Sequence, residues 1–261
     1  RTDEYGLIAE EAEKDFRDLL NIPDSYSVIF AHGGATIHNA MIPLNFTSEE
    51  GEASYVLSGH WAIKSVEEAE RYVKVKIAAS SKKENFSFFP PQDSWKVSEN
   101  SDYIHVTPNE TIGGISLRKI RPESKPIIAD YSSSILSEPI DVKTFGMLYG
   151  GAQKNIGPAG LGFAIIKKEL LGRARELTPT MLNYTTLSKN SSMYNTPPTF
   201  AWYVSGKVFK WLLGKGGVKA IGQINERKAS KLYDFIDRSE FYTNKIEKSS
   251  RSIMNLSLIH I

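Results

Sequence analysis

The chain has 261 residues, of which 41% are hydrophobic and 24% are charged, and its formal net charge is +2. A chain of this size can bury one substantial core, and its balanced charge gives no general attraction to nucleic acid or to an anionic membrane. The lack of cysteine excludes a disulfide framework, a thiolate metal site and a cysteine nucleophile. No apolar run approaches the roughly 20 residues of a membrane span, and the first residues do not resemble a signal sequence. We therefore expect a cytoplasmic protein with neither a membrane nor a nucleic acid as partner, and with no metal.

The predicted elements alternate between helices and short apolar strands. The spacing of Ile8, Phe16 and Leu20 predicts an amphipathic first helix. The elements after it are, in chain order, a strand at 26–30, the turn His32-Gly33-Gly34, a helix at 35–44, a strand at 53–57, a helix at 61–72, strands at 73–78, 102–106, 126–129, 146–149 and 162–166, and two long helices after Pro197-Pro198. The segment 82–95 has no clear period and is predicted to be a surface excursion.

The strand-like runs are apolar on both faces and alternate with helices. This pattern is typical of a mainly parallel sheet that is covered on both sides, so we predict a doubly wound α/β domain over residues 1–250. The apolar run from Ser252 onward predicts a further strand. We expect it to begin a smaller C-terminal α+β domain at residues 251–261, most of which is absent from this sequence.

Lys154 is the first candidate for chemistry. A lysine after a turn is most often a solvated surface charge, but Lys154 lies in a glycine-rich segment, residues 150–160, directly after an apolar strand. Glycines let backbone approach a ligand closely, and burial lowers the pKa of an ammonium group. The neutral amine that results can form an imine with a carbonyl cofactor such as pyridoxal phosphate.

Three further positions fit such a cofactor, although each also has an ordinary structural explanation. Asp130 ends an apolar strand and can be a turn or capping residue, or the acidic partner of the cofactor's pyridinium nitrogen. The turn at His32-Gly33-Gly34 opens a helix, where backbone N–H groups and the helix dipole bind phosphate. Trp61 is either a core residue or a ring that stacks on the cofactor.

Three segments, 129–141, 152–160 and 195–203, carry a close resemblance to the phosphoserine aminotransferase family. This is a family of class V, pyridoxal-phosphate-dependent aminotransferases of fold type I, and the similarity extends over nearly the whole chain. It implies a fold type I large domain and the transfer of an amino group between glutamate and 3-phosphohydroxypyruvate, a step of serine biosynthesis. An aminotransferase for a non-phosphorylated 2-oxo acid and a catalytically silent cofactor-binding fragment remain as alternatives.

The resemblance also implies roles for individual residues. Lys154 is expected to be the Schiff-base lysine, and Asp130 the partner of the pyridine nitrogen. The remaining cofactor contacts that it implies are Thr111 to the phenolic oxygen, Trp61 to the ring face, and Ala35, Thr36 and Gln153 to the phosphate. Asn195 and Thr196 are expected to reach the cofactor phosphate of a neighbouring subunit, which implies a homodimer with shared active sites.

The sequence departs from the family pattern at several positions. Thr36 replaces a basic residue found in some members, and His38-Asn39 replaces Gln-Phe. The arginine and histidine that the C-terminal part of family members contributes to the substrate site have no counterpart here. Arg1 aligns with a substrate-binding arginine, which makes it a candidate substrate ligand, or else a solvated chain end.

Overall fold

The computed structural model describes residues 2–260. Within that range the helices are α1 (Asp3–Leu20), α2 (Thr36–Phe46), α3 (His60–Ala69), α4 (Tyr184–Lys189), α5 (Thr199–Gly214) and α6 (Gly217–Asp237). The strands are β1 (Tyr26–His32), β2 (Glu52–Leu57), β3 (Lys74–Ser80), β4 (Ser101–Val106), β5 (Asn109–Glu110), β6 (Ile115–Ser116), β7 (Ile127–Asp130), β8 (Met147–Gly151), β9 (Leu161–Lys167), β10 (Tyr242–Thr243) and β11 (Ile259–His260). In the same range, no helix combines the length and the apolar character needed to cross a membrane.

Seven strands form one central sheet in the order β1-β9-β8-β7-β4-β2-β3. The pairs from β8 to β3 are all parallel, whereas β9 runs antiparallel to both of its neighbours, β1 and β8. The mainly parallel α/β sheet predicted from the sequence is therefore confirmed. Because β1, β2, β4, β7 and β8 point the same way, their carboxyl ends lie at one edge, which is where ligands bind in such sheets.

Apolar side chains cover both faces of the sheet. On one face, Phe16 of α1 stacks on Phe209 of α5 at 4.8 Å between ring centroids, and Trp202 packs on Phe30 at 4.7 Å. On the other face, α2 and α3 bury Met41 and other apolar residues against the strands. The strands therefore need to be apolar on both sides, which explains the continuous hydrophobic runs in the sequence.

One expectation about less regular segments holds only in part, and another was wrong. Residues 82–95 are not simply a surface excursion, because Phe89 is buried and its backbone amide donates to Ser250 Oγ at 3.0 Å. The run that starts at Ser252 is not a continuous strand; only its last part, β11, pairs with β10. Ser252 instead donates to the Asn109 side chain at 2.5 Å, a polar contact that the apolar pattern of the run does not reveal.

Candidate active site

A cavity of about 380 Å³ opens at the carboxyl edge of the sheet, between the first turns of α2 and α3. Six residues that the sequence analysis selected line it together: Ala35, Thr36, Trp61, Asp130, Gln153 and Lys154. Each of these residues is the last residue of a strand or lies within four residues after one. The strands are β1, β2, β7 and β8. The sheet therefore brings together side chains that are up to 119 positions apart in the sequence.

Lys154 reaches into this cavity from the loop after β8. Its Nζ donates to Thr111 Oγ1 at 2.6 Å and lies 5.0 Å from the centroid of the Trp61 ring. Withdrawal from water lowers the pKa of Lys154, while the negative charges of Asp130 and Glu110 act in the opposite direction. A lysine with a lowered pKa provides more neutral amine, the form that attacks a carbonyl.

Asp130 is the last residue of β7, and its carboxyl group is held by the next turn. Its Oδ1 accepts from the backbone N–H of Ser132 at 2.8 Å and from the Ser132 hydroxyl at 2.5 Å. The same hydroxyl accepts from the Gly151 amide at 3.0 Å, which links the ends of β7 and β8. Burial raises the pKa of Asp130, against the opposing effects of the Ser132 hydrogen bonds and the Lys154 charge. A carboxylate short of hydration is suited to a cationic partner.

Another part of the cavity wall is a backbone cradle suited to a phosphate group. Gly33 and Gly34 have φ of 87° and 63°, in the left-handed region that favours glycine, and α2 begins without a side-chain cap. A Cβ on Gly151 would lie 2.3 Å from Gln153 Oε1 and 3.1 Å from the Ala35 nitrogen. An uncapped helix start, with the Gln153 side chain and the Ala35 amide packed closely around Gly151, fits the phosphate of pyridoxal phosphate.

His38 and Asn39 belong to a buried polar layer beneath the cavity. His38 Nδ1 is 2.7 Å from the Tyr184 hydroxyl, and burial lowers the pKa of His38 to about 3, so the ring is neutral. Asn39 lines the cavity, and its Oδ1 accepts from the Tyr149 hydroxyl at 3.0 Å and from Ser65 at 3.2 Å. The departure from Gln-Phe noted in the sequence therefore places a hydrogen-bonded amide in the cavity wall.

Glu110 is a site residue that the sequence analysis missed. It is fully buried beside Thr111, and its carboxylate accepts from the backbone amides of Trp61 and Ala62 at 2.9 and 2.8 Å. The only local signal was its position next to a predicted cofactor ligand, because Glu110 and Trp61 are far apart in sequence.

Asn195 and Thr196 are outside this cavity. Both are exposed, and the Thr196 carbonyl is 2.8 Å from His32 Nε2, which fixes their loop to the end of β1. They do not complete the cavity of their own chain, and their predicted role concerns a second subunit. Arg1, the candidate substrate ligand, lies outside the described residues.

A lysine amine and a carboxylate at neighbouring strand ends, in one cavity with an uncapped helix start, define a pyridoxal-phosphate-dependent transferase of fold type I. The family model for class-V aminotransferases matches residues 1–261. The phosphoserine aminotransferase of Hahella chejuensis is 52% identical over 98% of this chain and 71% of its own length.

Solved structures of phosphoserine aminotransferases have the same fold as this chain. The phosphoserine aminotransferase from Bacillus circulans subsp. alkalophilus is 41% identical with a TM-score of 0.96, covering 99% of this chain and 72% of that one. The pyridoxal-phosphate-bound phosphoserine aminotransferase from Trichomonas vaginalis is 36% identical with a TM-score of 0.95, covering 100% and 78%. The chain belongs to the class-V aminotransferase family, among the phosphoserine aminotransferases, and is a pyridoxal-phosphate-dependent enzyme.

Proposed function

We propose that the chain transfers an amino group reversibly between glutamate and 3-phosphohydroxypyruvate, forming 2-oxoglutarate and phosphoserine, as a step of serine biosynthesis in the cytoplasm. The observation that carries this proposal is the contact of Lys154 with both Thr111 and Trp61 at a cavity that Asp130 also lines. The relatives named above support the choice of substrates.

Lys154 is proposed to hold the cofactor covalently and to move the proton. Bound pyridoxal phosphate supplies the electron sink that makes the Cα proton of an amino acid removable. With the cofactor bound, the Lys154 amine would act as the base that takes the proton from the substrate Cα and as the acid that gives it back. Thr111, at 2.6 Å, orients the lysine before this step and is the proposed partner of the cofactor's phenolic oxygen.

Asp130 and the backbone cradle are proposed to fix the two ends of the cofactor. The Asp130 carboxylate, held by Ser132, pairs with the protonated ring nitrogen and keeps the positive charge there. The amides of Ala35 and Thr36 and the Gln153 side chain take the phosphate. The Trp61 ring covers one face of the cavity, where it excludes water and stacks on the bound ring.

We further propose that two copies of the chain share their sites. Asn195 and Thr196 lie on an exposed loop, and Phe200, at the start of α5, is 73% exposed beside them. Such an exposed aromatic next to polar groups with no role in their own cavity suits a homodimer in which the loop reaches the partner's phosphate. Residues 1–250 are the proposed large domain, and 251–261 the start of a small one.

The test is cofactor binding followed by turnover. Pyridoxal phosphate added to the chain should give a visible absorbance band of the lysine-bound cofactor, and Lys154→Ala should abolish it. Lys64→Ala is the matched control, because Lys64 lines the same cavity but pairs with Glu67 at 2.6 Å. A band that survives Lys154→Ala would overturn the assignment of the lysine.

Amino transfer to 3-phosphohydroxypyruvate is then compared with transfer to pyruvate and glyoxylate. Faster turnover of the phosphorylated acid supports the proposed substrate. Equal rates would reject it, and a band without any turnover would identify a silent cofactor-binding protein.

A further inference from the structure

The first turn of α3 is held from outside the helix. The residue that precedes the helix, Gly59, offers no side-chain cap, so the first backbone N–H groups would lack partners. The Glu110 carboxylate supplies them: Oε2 accepts from Trp61 N at 2.9 Å, and Oε1 accepts from Ala62 N at 2.8 Å. A charged acceptor at a helix N-terminus is favoured both by hydrogen bonding and by the helix dipole.

The surroundings of Glu110 are built for this contact. The side chain is 0% exposed, and a buried carboxylate is costly unless its oxygens are hydrogen-bonded. A Cβ on Gly59 would lie 2.5 Å from Glu110 Cδ, so only glycine allows the carboxylate to approach the helix. Ser58 adds a third, longer contact, at 3.5 Å to Oε1.

The helix turn that Glu110 holds carries one wall of the cavity. Trp61 is the second residue of α3, and its ring is 5.0 Å from Lys154 Nζ. The next residue after Glu110 is Thr111, which accepts the hydrogen bond from the same lysine. Two adjacent residues therefore position both the aromatic ring above Lys154 and the hydroxyl beside it.

We propose that Glu110 is a positioning residue of the active site, whose carboxylate fixes the first turn of α3 and thereby the Trp61 ring over the bound cofactor. This rests on the proposed function, because it assumes that the cavity holds pyridoxal phosphate. Glu110 does not contact the reacting atoms itself. It acts through the Trp61 and Ala62 amides.

Burial and the Asp130 charge act against the ionised form of Glu110, whereas its hydrogen bonds to α3 act for it. Asp130, from β7, raises the pKa of Glu110. The Glu110 charge in turn raises the pKa of Lys154, in the loop after β8. Burial raises the pKa of Glu110 to about 7, while the amide hydrogen bonds and Ser58 oppose the rise and Asp130 adds to it. Protonation leaves one carboxyl oxygen a poorer acceptor, so the hold on α3 should weaken when the group is neutral.

The first test needs only the parent chain. Amide hydrogen exchange followed by NMR should show that the Trp61 and Ala62 amides are protected. The matched control is the start of α2, where no side chain caps the helix and the Thr36 and Ile37 amides should exchange quickly without cofactor. Exchange of Trp61 and Ala62 as fast as that of Thr36 and Ile37 would overturn the proposal.

The second test measures how tightly the cofactor binds and how its ring is oriented. Glu110→Gln should weaken pyridoxal phosphate binding on the order of tenfold and reduce the visible circular dichroism per bound cofactor, which reports ring orientation. Trp61→Ala should do the same, and the double variant should add little. Glu52→Gln is the control, since Glu52 is also buried but lies at the start of β2. Independent, additive effects, or unchanged dichroism in Glu110→Gln, would refute the role.

A third variant and the parent spectrum keep the outcomes distinct. If Glu110→Gln does not fold, Glu110→Asp retains the charge but is one methylene shorter, and it should give an intermediate loss of dichroism; unchanged dichroism there would equally refute the role. A parent that gives no cofactor band defeats the proposed function instead, while the exchange test still decides whether Glu110 holds α3.

Discussion

Tyr149→Phe is expected to destabilise the fold by removing one hydroxyl from the polar layer below the cavity. The hydroxyl lies 2.8 Å from His105 Nε2 and donates to Asn39 Oδ1 at 3.0 Å. His105 is 1% exposed, and its Nδ1 already lacks a partner among the described residues. Burial lowers the pKa of His105 to about 3, so the ring cannot regain favourable energy by ionising near neutral pH.

The size of the expected loss of stability follows from the His105 ring, which is left without a hydrogen bond. Phenylalanine keeps the ring packing, so the cost is that of one buried imidazole without any hydrogen bond, about 2 kcal/mol of unfolding free energy. Urea unfolding of the cofactor-free chain measures this loss. The slope of the unfolding free energy against urea concentration should not change. Tyr72→Phe is the control, because its hydroxyl makes one long hydrogen bond, 3.3 Å to the half-buried Glu68 carboxylate, and its loss should cost less than about 0.5 kcal/mol.

A double variant separates the hydrogen bond from packing. Replacing His105 by Phe as well removes both polar partners, and part of the lost stability should return. If Tyr149→Phe changes the unfolding free energy by less than about 0.5 kcal/mol, or if the double variant is the sum of two losses, the reasoning about the unpaired imidazole is wrong.

Four further outcomes are expected. Gly151→Ala should weaken binding of pyridoxal phosphate in an absorbance titration, because the added Cβ would meet Gln153 Oε1 at 2.3 Å. Asp130→Asn should still form the lysine-bound cofactor band but lose most amino-transfer activity in a steady-state assay, since a neutral amide cannot stabilise the ring nitrogen's charge. Thr36→Arg should lower KM for 3-phosphohydroxypyruvate more than for pyruvate, because it adds a cation that can meet the phosphate. The pKa of Glu110 is raised to about 7 from its ordinary 4.5, so its contribution to stability is complete below pH 4.5 and lost as pH rises through 7. In urea unfolding from pH 5 to 8, the stability of Glu110→Gln relative to the parent should therefore increase as the pH rises.

The sheet was predictable because its strands carry local signals. The runs around Phe30, Ile104 and Ile165 are apolar on both faces, as buried strands require, and glycine or aspartate marks their ends. The direction of β9 was not predictable in the same way. Its apolar pattern is the same for a parallel or an antiparallel neighbour, and only the hydrogen bonds with β1 and β8 distinguish them.

The candidate cofactor residues were found for a similar reason. Lys154, Asp130 and the Gly33-Gly34 turn follow strands, so strand prediction alone places them at one sheet edge. Asn39 is different, because a polar residue on a short helix gives no indication of whether it faces water or a buried tyrosine. Its hydrogen bond with Tyr149 joins residues that are 110 positions apart, and no local pattern records such a contact.

Glu110 marks the limit of sequence reasoning at this site. A glutamate that caps its own helix is found by its spacing from the helix start, whereas Glu110 caps a helix that begins 50 residues earlier at His60. The fold creates that contact by placing β5 beside the end of β2, where Gly59 leaves room for the carboxylate. Thr111, which accepts from Lys154, directly follows this short strand, so the position of the aromatic wall and that of the reactive amine depend on the dipeptide Glu110-Thr111. A disturbance of β5 should therefore alter cofactor orientation and lysine reactivity together, whereas a disturbance of the α2 cradle should affect phosphate binding alone.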